Sequence, residues 1–134
     1  MKVPAELVGA RVERTAFDER VRLSLRCSAD GDGGDGYLVD AELAVGTPFL
    51  LRDADGRWHE LEPGGGTALA PVLGLRGRTI TAVAISERGA LTLDFDDGAQ
   101  LFLGPHIRLD SWSLTGAGVA QIRIGPGGQT DRWQ

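Results

Sequence analysis

The residues of this chain whose types and spacing could do chemistry are carboxylates clustered in glycine-rich turns. Asp30, Asp32 and Asp35 lie within residues 30–36, which read Asp-Gly-Asp-Gly-Gly-Asp-Gly. Oxygen ligands at this density suit calcium, but Gly34 stands at a ligand position of the EF-hand pattern. The run therefore predicts a solvated hairpin loop, with attraction of a basic partner as its functional interpretation.

A second acidic turn adjoins a large aromatic residue. Asp53 and Asp55 belong to the turn Asp-Ala-Asp-Gly, and Trp58 follows it. When the two halves of the chain are aligned with each other, as described below, Trp58 corresponds to the polar Gln121. Its ring is therefore expected on a solvent-facing surface, with partial burial as the alternative. Exposed tryptophans beside charges serve as interface anchors. We therefore predict a partner-binding surface that comprises Asp30, Asp32, Asp35, Asp53, Asp55 and Trp58.

Catalytic and metal-binding constellations are not recognisable. His59 aligns with the apolar Ile122, so it is expected to be a buried, neutral histidine with a hydrogen-bond partner. His106 follows a proline in a turn-like segment, and Cys27 alternates with core residues. These residues show no metal-ligand spacing, so no metal and no cofactor are predicted.

A glycosidase-like carboxylate pair is the remaining catalytic candidate. Asp94 and Asp96 are two residues apart in a strand pattern, with Asp97 next to them. Asp96 and Asp97 are also typical turn formers, which is the simpler interpretation. The sequence therefore favours a protein that is not an enzyme.

Length and composition limit the other classes. The chain has 134 residues, 42% apolar and 25% charged, which fits a single globular domain over residues 1–134. Its net charge of -5 argues against a nucleic-acid surface. It has one cysteine, no apolar run long enough to cross a membrane and no apolar signal core at its start, so a cytoplasmic location is expected. Thirteen of the 14 basic residues are arginine, a usage associated with GC-rich bacterial genomes.

The dominant hydrophobic period is two, which is typical of strands with one buried face. Residues 21–27, 91–95 and 120–124 alternate apolar with polar or small side chains, and Asp-Asp-Gly at 96–98 is a strong hairpin signal. Helical periodicity is weak beyond one possible turn at residues 4–8. The predicted fold is all-β: an antiparallel sandwich or barrel.

An internal repeat organises these strands. Residues 7–25 align with 75–93 at an offset of 68, and residues from Leu38 onward align at an offset of 63, which pairs Leu38 with Leu101. The loop at 30–36 accounts for the change of five. We predict two tandem units, 7–66 and 75–128, of about five strands each, forming two facing sheets related by a pseudo-two-fold axis.

The second half resembles known families. Leu-Thr-Leu-Asp-Phe-Asp-Asp-Gly at 91–98, Trp-Ser-Leu at 112–114 and Gly-Pro-Gly-Gly at 125–128 are similar to small uncharacterised actinobacterial all-β proteins. They also resemble parts of the β-rich immunity proteins that neutralise polymorphic toxins. The resemblance covers residues 75–133 and implies a binding protein without catalytic residues.

Three functions from different classes follow. The first is a non-enzymatic cytoplasmic protein-binding module, immunity-like, that engages a basic protein partner through its acidic surface. The second is a small-ligand-binding β-barrel. The third is a homo-oligomeric structural or accessory subunit that pairs through sheet edges.

Overall fold

The computed structural model describes residues 3–28, 37–105, 111–128 and 130–133. Within these ranges the chain forms one short helix, α1 (Ala70–Leu73), short 3-10 turns at Ala5–Leu7, Gly66–Leu69 and Pro126–Gly128, and eleven strands. The strands are β1 (Arg11–Phe17), β2 (Val21–Ser28), β3 (Tyr37–Val45), β4 (Phe49–Arg52), β5 (Trp58–Leu61), β6 (Ile80–Ile85), β7 (Leu91–Phe95), β8 (Gln100–Leu103), β9 (Trp112–Ala117), β10 (Gln121–Ile124) and β11 (Thr130–Trp133).

The strands form two antiparallel sheets that share one core. The six-stranded sheet has the order β1-β2-β3-β9-β10-β11, and the five-stranded sheet has the order β5-β4-β8-β7-β6. The alternating apolar residues of both sheets are buried against each other, including Leu23, Leu43, Leu93 and Leu101. The all-β prediction is confirmed. The arrangement is a sandwich and not a closed barrel, because each sheet ends in an unpaired strand within the described part of the chain.

Each predicted unit of five strands contributes to both sheets. The first unit supplies β1-β2-β3 to the six-stranded sheet and β4-β5 to the other, whereas the second supplies β6-β7-β8 to the five-stranded sheet and β9-β10 to the first. Apart from β11, which has no counterpart among the described strands, exchanging the two units converts one sheet order into the other. The expectation of one sheet per unit was wrong, because β3 pairs with β9 and β8 pairs with β4 across the units.

The strand register also corrects part of the repeat alignment. Leu43 lies opposite Leu114, and Leu101 lies opposite Leu51. Leu51 and Leu114 correspond in the two units at the offset of 63. Their cross-strand partners, Leu101 and Leu43, must therefore also correspond, which gives an offset of 58 for this strand. Leu38, which the sequence alignment pairs with the buried Leu101, is exposed. The sequence alignment is displaced by five residues in this strand, and a shift by an odd number of residues places every side chain on the opposite face of the sheet.

The connection between the units contains the helix that periodicity failed to reveal. A 3-10 turn at Gly66–Leu69 continues directly into α1, and the two bury Leu69 and Val72 against the core. Only two side chains anchor this segment, a signal too short for a periodicity search. The segment lies beside the turn between β4 and β5, where it forms one wall of a cleft described below.

Close packing of the turn after β9 against β3 yields a stability prediction. Gly118 has φ +81°, and a Cβ atom there would overlap the carbonyl oxygen of Leu38. Gly56 has φ +85°, but a Cβ there meets nothing within 4 Å. Gly56→Ala should therefore lower the free energy of unfolding by about 1–2 kcal/mol, from backbone strain alone. Gly118→Ala should cost about 1–3 kcal/mol more, because the strands must also move apart.

Urea unfolding of the two variants, monitored by circular dichroism, measures this difference. Gly56→Ala is the matched control, since it has the same left-handed backbone without the close contact. Equal stability of the two variants would show that β3 does not approach Gly118 as described.

Candidate functional site

The turn between β4 and β5 is organised by the side chain of Asp53. Its Oδ1 accepts hydrogen bonds from the backbone amides of Asp55 and Arg57, each at 3.0 Å. An aspartate that bonds to amides two and four residues ahead favours a turn, and two backbone hydrogen bonds, from the amide of Asp53 to the carbonyl of Arg57 and from the amide of Gly56 to the carbonyl of Asp53, also close it. Gly56 takes the positive φ that this turn requires. Two of the five acidic residues predicted for the site, Asp53 and Asp55, therefore lie on a single hairpin loop.

His59 lies on β5 and contacts the other oxygen of the same carboxylate. Its Nε2 is 2.9 Å from Oδ2 of Asp53. Because an ionised carboxylate only accepts hydrogen bonds, Nε2 carries the proton. The predicted hydrogen-bond partner is thus present, but the expected full burial is wrong: the His59 side chain is 30% exposed. β5 is an edge strand, so its inward face is covered only in part.

The Asp53–His59 pair lines a cleft of about 310 Å³ at the end of the sandwich. Leu51, Leu75 and Ala99 form its apolar floor, and Asp55 and Asp97 also line it. Asp97 has structural partners, since its Oδ1 accepts the amide of Ala99 and its Oδ2 lies 3.4 Å from Nε of Arg78. Among the described residues, no group of three or more histidine, cysteine, aspartate or glutamate side chains is arranged to hold a metal ion.

Trp58 projects from the opposite face of β5. Its side chain is among the exposed large hydrophobic groups, at 54% exposure. The guanidinium of Arg52, on the neighbouring strand, lies 5.7 Å from the centre of the indole ring. Nη2 of Arg52 also donates a hydrogen bond of 3.2 Å to the carbonyl of Gly98. The cation–π contact and this hydrogen bond hold the arginine beneath the ring, so they restrict the motion of the exposed indole.

Trp58 is part of a continuous outer face of the five-stranded sheet. The strand register places Trp58, Arg52, Gln100, Asp94 and Ala82 in one cross-strand row and Glu60, Leu50, Phe102, Thr92 and Ala84 in the next. These ten residues are called the Trp58 face below. Leu50 is 37% exposed and Phe102 is partly buried. Three large apolar side chains therefore occupy neighbouring positions on a surface that faces solvent.

The outer face of the six-stranded sheet is different in character. Its central positions form ion pairs, with Arg22 2.7 Å from Glu42 and Arg26 3.2 Å from Asp40. Pairs of opposite charge are a usual way of finishing a solvated sheet face, although each contributes little stability. The Trp58 face has no ion pair between its own described residues. The asymmetry between the two outer faces singles out the Trp58 face.

The structure unites only part of the predicted site. Asp53, Asp55 and Trp58 belong to one hairpin, whereas Asp30, Asp32 and Asp35 lie outside the described residues, as does His106. Leu50 and Phe102 were missed. Their signal was an interruption of period two, since 49–51 and 101–103 are continuous apolar triplets. Such a triplet places an apolar side chain on both faces of a strand.

The catalytic candidates are engaged in local structure. Asp94 accepts a hydrogen bond of 2.7 Å from the amide of Gln100 beside it on the sheet. Cys27 lies on β2 of the six-stranded sheet and packs against the core, whereas His59 lies on the five-stranded sheet. In the described part of the chain, no helix is long and apolar enough to cross a membrane.

The Asp53 turn gives a prediction about pH. Hydrogen bonds from His59 and from the backbone amides of Arg57 and Asp55 hold the pKa of Asp53 below its usual value of 3.8. A carboxylate with a depressed pKa in the folded state stabilises the fold above its unfolded-state pKa, and this contribution disappears as the pH falls through the folded-state pKa. Asp53→Asn should therefore lower the melting temperature at pH 7, and the deficit should shrink as the pH falls below 3.8.

Differential scanning calorimetry across this range provides the measurement. Asp55→Asn is the control, since it removes a carboxylate from the same turn whose side chain is exposed. A melting-temperature deficit of Asp53→Asn that is the same at pH 7 and at pH 3 would contradict the assignment, because the lost interaction would then not depend on charge.

Comparison with known proteins identifies a family. The chain belongs to the family of unknown function DUF6188, whose pattern it matches over residues 3–134. The match includes both predicted units and the Trp58 face. No curated protein and no solved structure matches the chain.

Proposed function

We propose that this protein is a non-enzymatic binding module and that its Trp58 face docks a protein partner. The observation that carries the proposal is the cluster of Trp58, Leu50 and Phe102 on three adjacent strands of one outward face, in two neighbouring cross-strand rows. Removing these side chains from water on binding is favourable in proportion to their apolar area. An exposed tryptophan in such a patch is a typical hot spot.

Charge identifies the kind of partner. Carboxylates flank the apolar cluster: Glu60 and Asp94 lie in its two cross-strand rows, and Asp55 is exposed in the turn before β5. The whole chain carries a net charge of -5. A partner surface with an apolar centre and arginine or lysine residues around it complements this arrangement and associates faster at low salt. A second copy of this chain fits less well, because it would bring the same carboxylates together.

The resemblance of the second half to β-rich immunity proteins supports the same proposal. It implies a binding protein, and β7 and β8, which contribute Asp94, Gln100 and Phe102 to the Trp58 face, lie within the resembling region. An immunity-like role in the cytoplasm is the specific form that we propose, with a basic toxin domain as the partner. The free thiol of Cys27 is compatible with that reducing compartment.

The alternative of a ligand-filled barrel loses its structural basis. The space between the sheets is occupied by side chains such as Trp112, Leu43 and Leu93, all at most 1% exposed. A barrel that holds a ligand needs an interior larger than its side chains fill.

A comparison of affinity captures from the native host lysate tests the proposal. The baits are the wild-type protein, Leu50→Glu on the Trp58 face, and Leu38→Glu. Leu38 is the matched control because it is an exposed leucine, 60% accessible, on β3 of the other sheet. A protein captured stoichiometrically by the wild type and by Leu38→Glu, lost with Leu50→Glu and released by salt, would support the proposal. Equal capture by all three baits would contradict it, and light scattering would reveal whether the occupant is a second copy.

A further inference from the structure

We infer that the outer face of the six-stranded sheet contains an anion-binding cleft for a small phosphorylated molecule. The cleft has a volume of about 510 Å³ and is lined by Glu13, Arg14, Thr15, Ser24, Arg26 and Arg76. Three arginines and Ser24 thus line one space on a chain whose net charge is -5. This is a second site, on the sheet opposite the Trp58 face.

A β-bulge builds the cleft. The register of β1 against β2 shifts between Val12 and Arg14, and the strand alternation is interrupted there, so that Glu13 and Arg14 are both exposed. Bulges often redirect side chains next to functional sites. Arg14 lies directly opposite Ser24 on β2. The result is an arginine and a serine presented together on the outer surface.

Arg76 reaches the same place from the connection before β6. The amide of Gly77 donates a hydrogen bond of 2.8 Å to the carbonyl of Val12, and the amide of Val12 donates one of 2.9 Å to the carbonyl of Arg78. These two bonds attach residues 76–78 to the edge of β1 at the bulge. The position of Arg76 beside Arg14 is therefore set by backbone hydrogen bonds and not by a flexible loop.

The positive charges in the cleft are only partly neutralised. Arg26 lies 3.2 Å from Asp40, whereas Arg14 and Arg76 form no ion pair with another described residue. Among the described residues, Glu13 is the one carboxylate that lines the cleft. Like charges held together are unfavourable unless an anion joins them. Guanidinium groups bind phosphate oxygens in pairs, and hydroxyl groups supply further donors.

The corresponding place in the other sheet shows that the fold does not require this cluster. β6 carries a bulge between Ile80 and Ala82, the counterpart of the one in β1, and Ala82 lies opposite Asp94. The cross-strand pair at this bulge consists of the small side chain of Ala82 and the carboxylate of Asp94, whereas the pair at the bulge in β1 contains Arg14. The basic cleft is therefore a feature of the first unit alone.

The size of the cleft and the overall charge define the ligand class. A volume of about 510 Å³ lies in the range of small-molecule sites. A long polyanion such as nucleic acid would be repelled by the acidic chain, because its affinity depends on many phosphate contacts over an extended basic surface. One or two phosphoryl groups need only the local cluster. A small phosphorylated metabolite is thus the proposed ligand, and inorganic pyrophosphate is a suitable probe.

Isothermal titration with pyrophosphate at constant ionic strength tests the inference. We expect saturable binding with one site, and weakening of at least about tenfold in each of Arg14→Gln and Arg76→Gln, because each loses charged hydrogen bonds. Arg57→Gln is the matched control, since it removes an exposed arginine from the β4–β5 turn and should bind as the wild type does. Circular dichroism checks that each variant is folded.

Three results would overturn the inference. One is the absence of saturable pyrophosphate binding, and another is equal weakening by the control and by the two cleft variants. Binding of a DNA duplex in preference to pyrophosphate, with a steep salt dependence, would also overturn it by assigning the cleft to a polymer. None of these results bears on the Trp58 face, so the two proposals succeed or fail separately.

Discussion

Replacing Trp112 with alanine should lower the free energy of unfolding by about 3–5 kcal/mol, the usual loss when a large buried aromatic side chain is removed. Trp112 is 1% exposed, and it lies in β9 between Val45 of β3 and Ile124 of β10. Its Nε1 donates a hydrogen bond of 2.8 Å to the carbonyl of Gly89, in the turn between β6 and β7. The indole therefore connects the six-stranded sheet with a hairpin of the five-stranded sheet.

Urea unfolding monitored by circular dichroism measures this loss. Trp112→Phe keeps an aromatic ring but removes the N–H, so the carbonyl of Gly89 loses its hydrogen-bond donor. We therefore expect a loss of stability between those of the wild type and Trp112→Ala. Trp58→Ala is the control, because the same residue type on the surface should change stability little. A loss below about 1 kcal/mol for Trp112→Ala would contradict the described core, since it would fall well under the range for a large buried side chain.

The second large effect concerns binding. Trp58→Ala should weaken the complex with the protein partner by about 2 kcal/mol or more, roughly thirtyfold in Kd. The indole is the largest side chain of its row and is 54% exposed, and contacts of Arg52 with the ring and with Gly98 hold the surface beneath it in place. Because a preformed surface loses little conformational freedom on binding, removal of the ring should appear mainly as faster dissociation.

Surface plasmon resonance with the captured partner separates this effect from the electrostatic one. The variant Asp55→Ser should slow association and flatten its salt dependence, with a smaller effect on dissociation. The triple replacement of Asp30, Asp32 and Asp35 by serine should act in the same direction. If Trp58→Ala binds with the affinity of the wild type, the indole is not the anchor.

Much of the fold follows from local patterns in the sequence. Period-two alternation at 21–27 and 91–95 identifies the central strands, and Asp-Asp-Gly at 96–98 identifies the hairpin between β7 and β8. The exposure of Trp58 also agrees with its predicted face. These features depend on interactions between neighbouring residues, so a single sequence contains enough information to predict them.

Other features depend on long-range pairing that periodicity does not specify. The joining of β3 to β9 and of β4 to β8 mixes the two units in each sheet, and no local signal distinguishes it from two separate sheets. The register of β3 was misjudged because the hairpin of β2 and β3 is longer than that of β7 and β8. His59 was expected to be buried because it aligns with the apolar Ile122. Its side chain is only half-buried, because β5 lies at the edge of its sheet.

The candidate site shows the same division. The sequence identified Trp58 and the Asp53 turn, since both lie in one short hairpin. It did not reveal Leu50 and Phe102 as their neighbours, because they become adjacent only when β4 and β8 pair. The basic cleft was also hidden, since Arg14, Arg26 and Arg76 are far apart in the chain and are brought together by a bulge and a loop.

Photo-crosslinking in the native host tests the central claim, that the Trp58 face docks a basic protein, most directly. A benzophenone amino acid replaces Phe102, in the middle of the Trp58 face, or Ser113, on β9 of the opposite sheet as the matched position. We predict a single basic protein crosslinked from position 102, with a yield that falls as salt is raised and with little product from position 113. Equal crosslinking from both positions, or a product from position 113 alone, would contradict the claim.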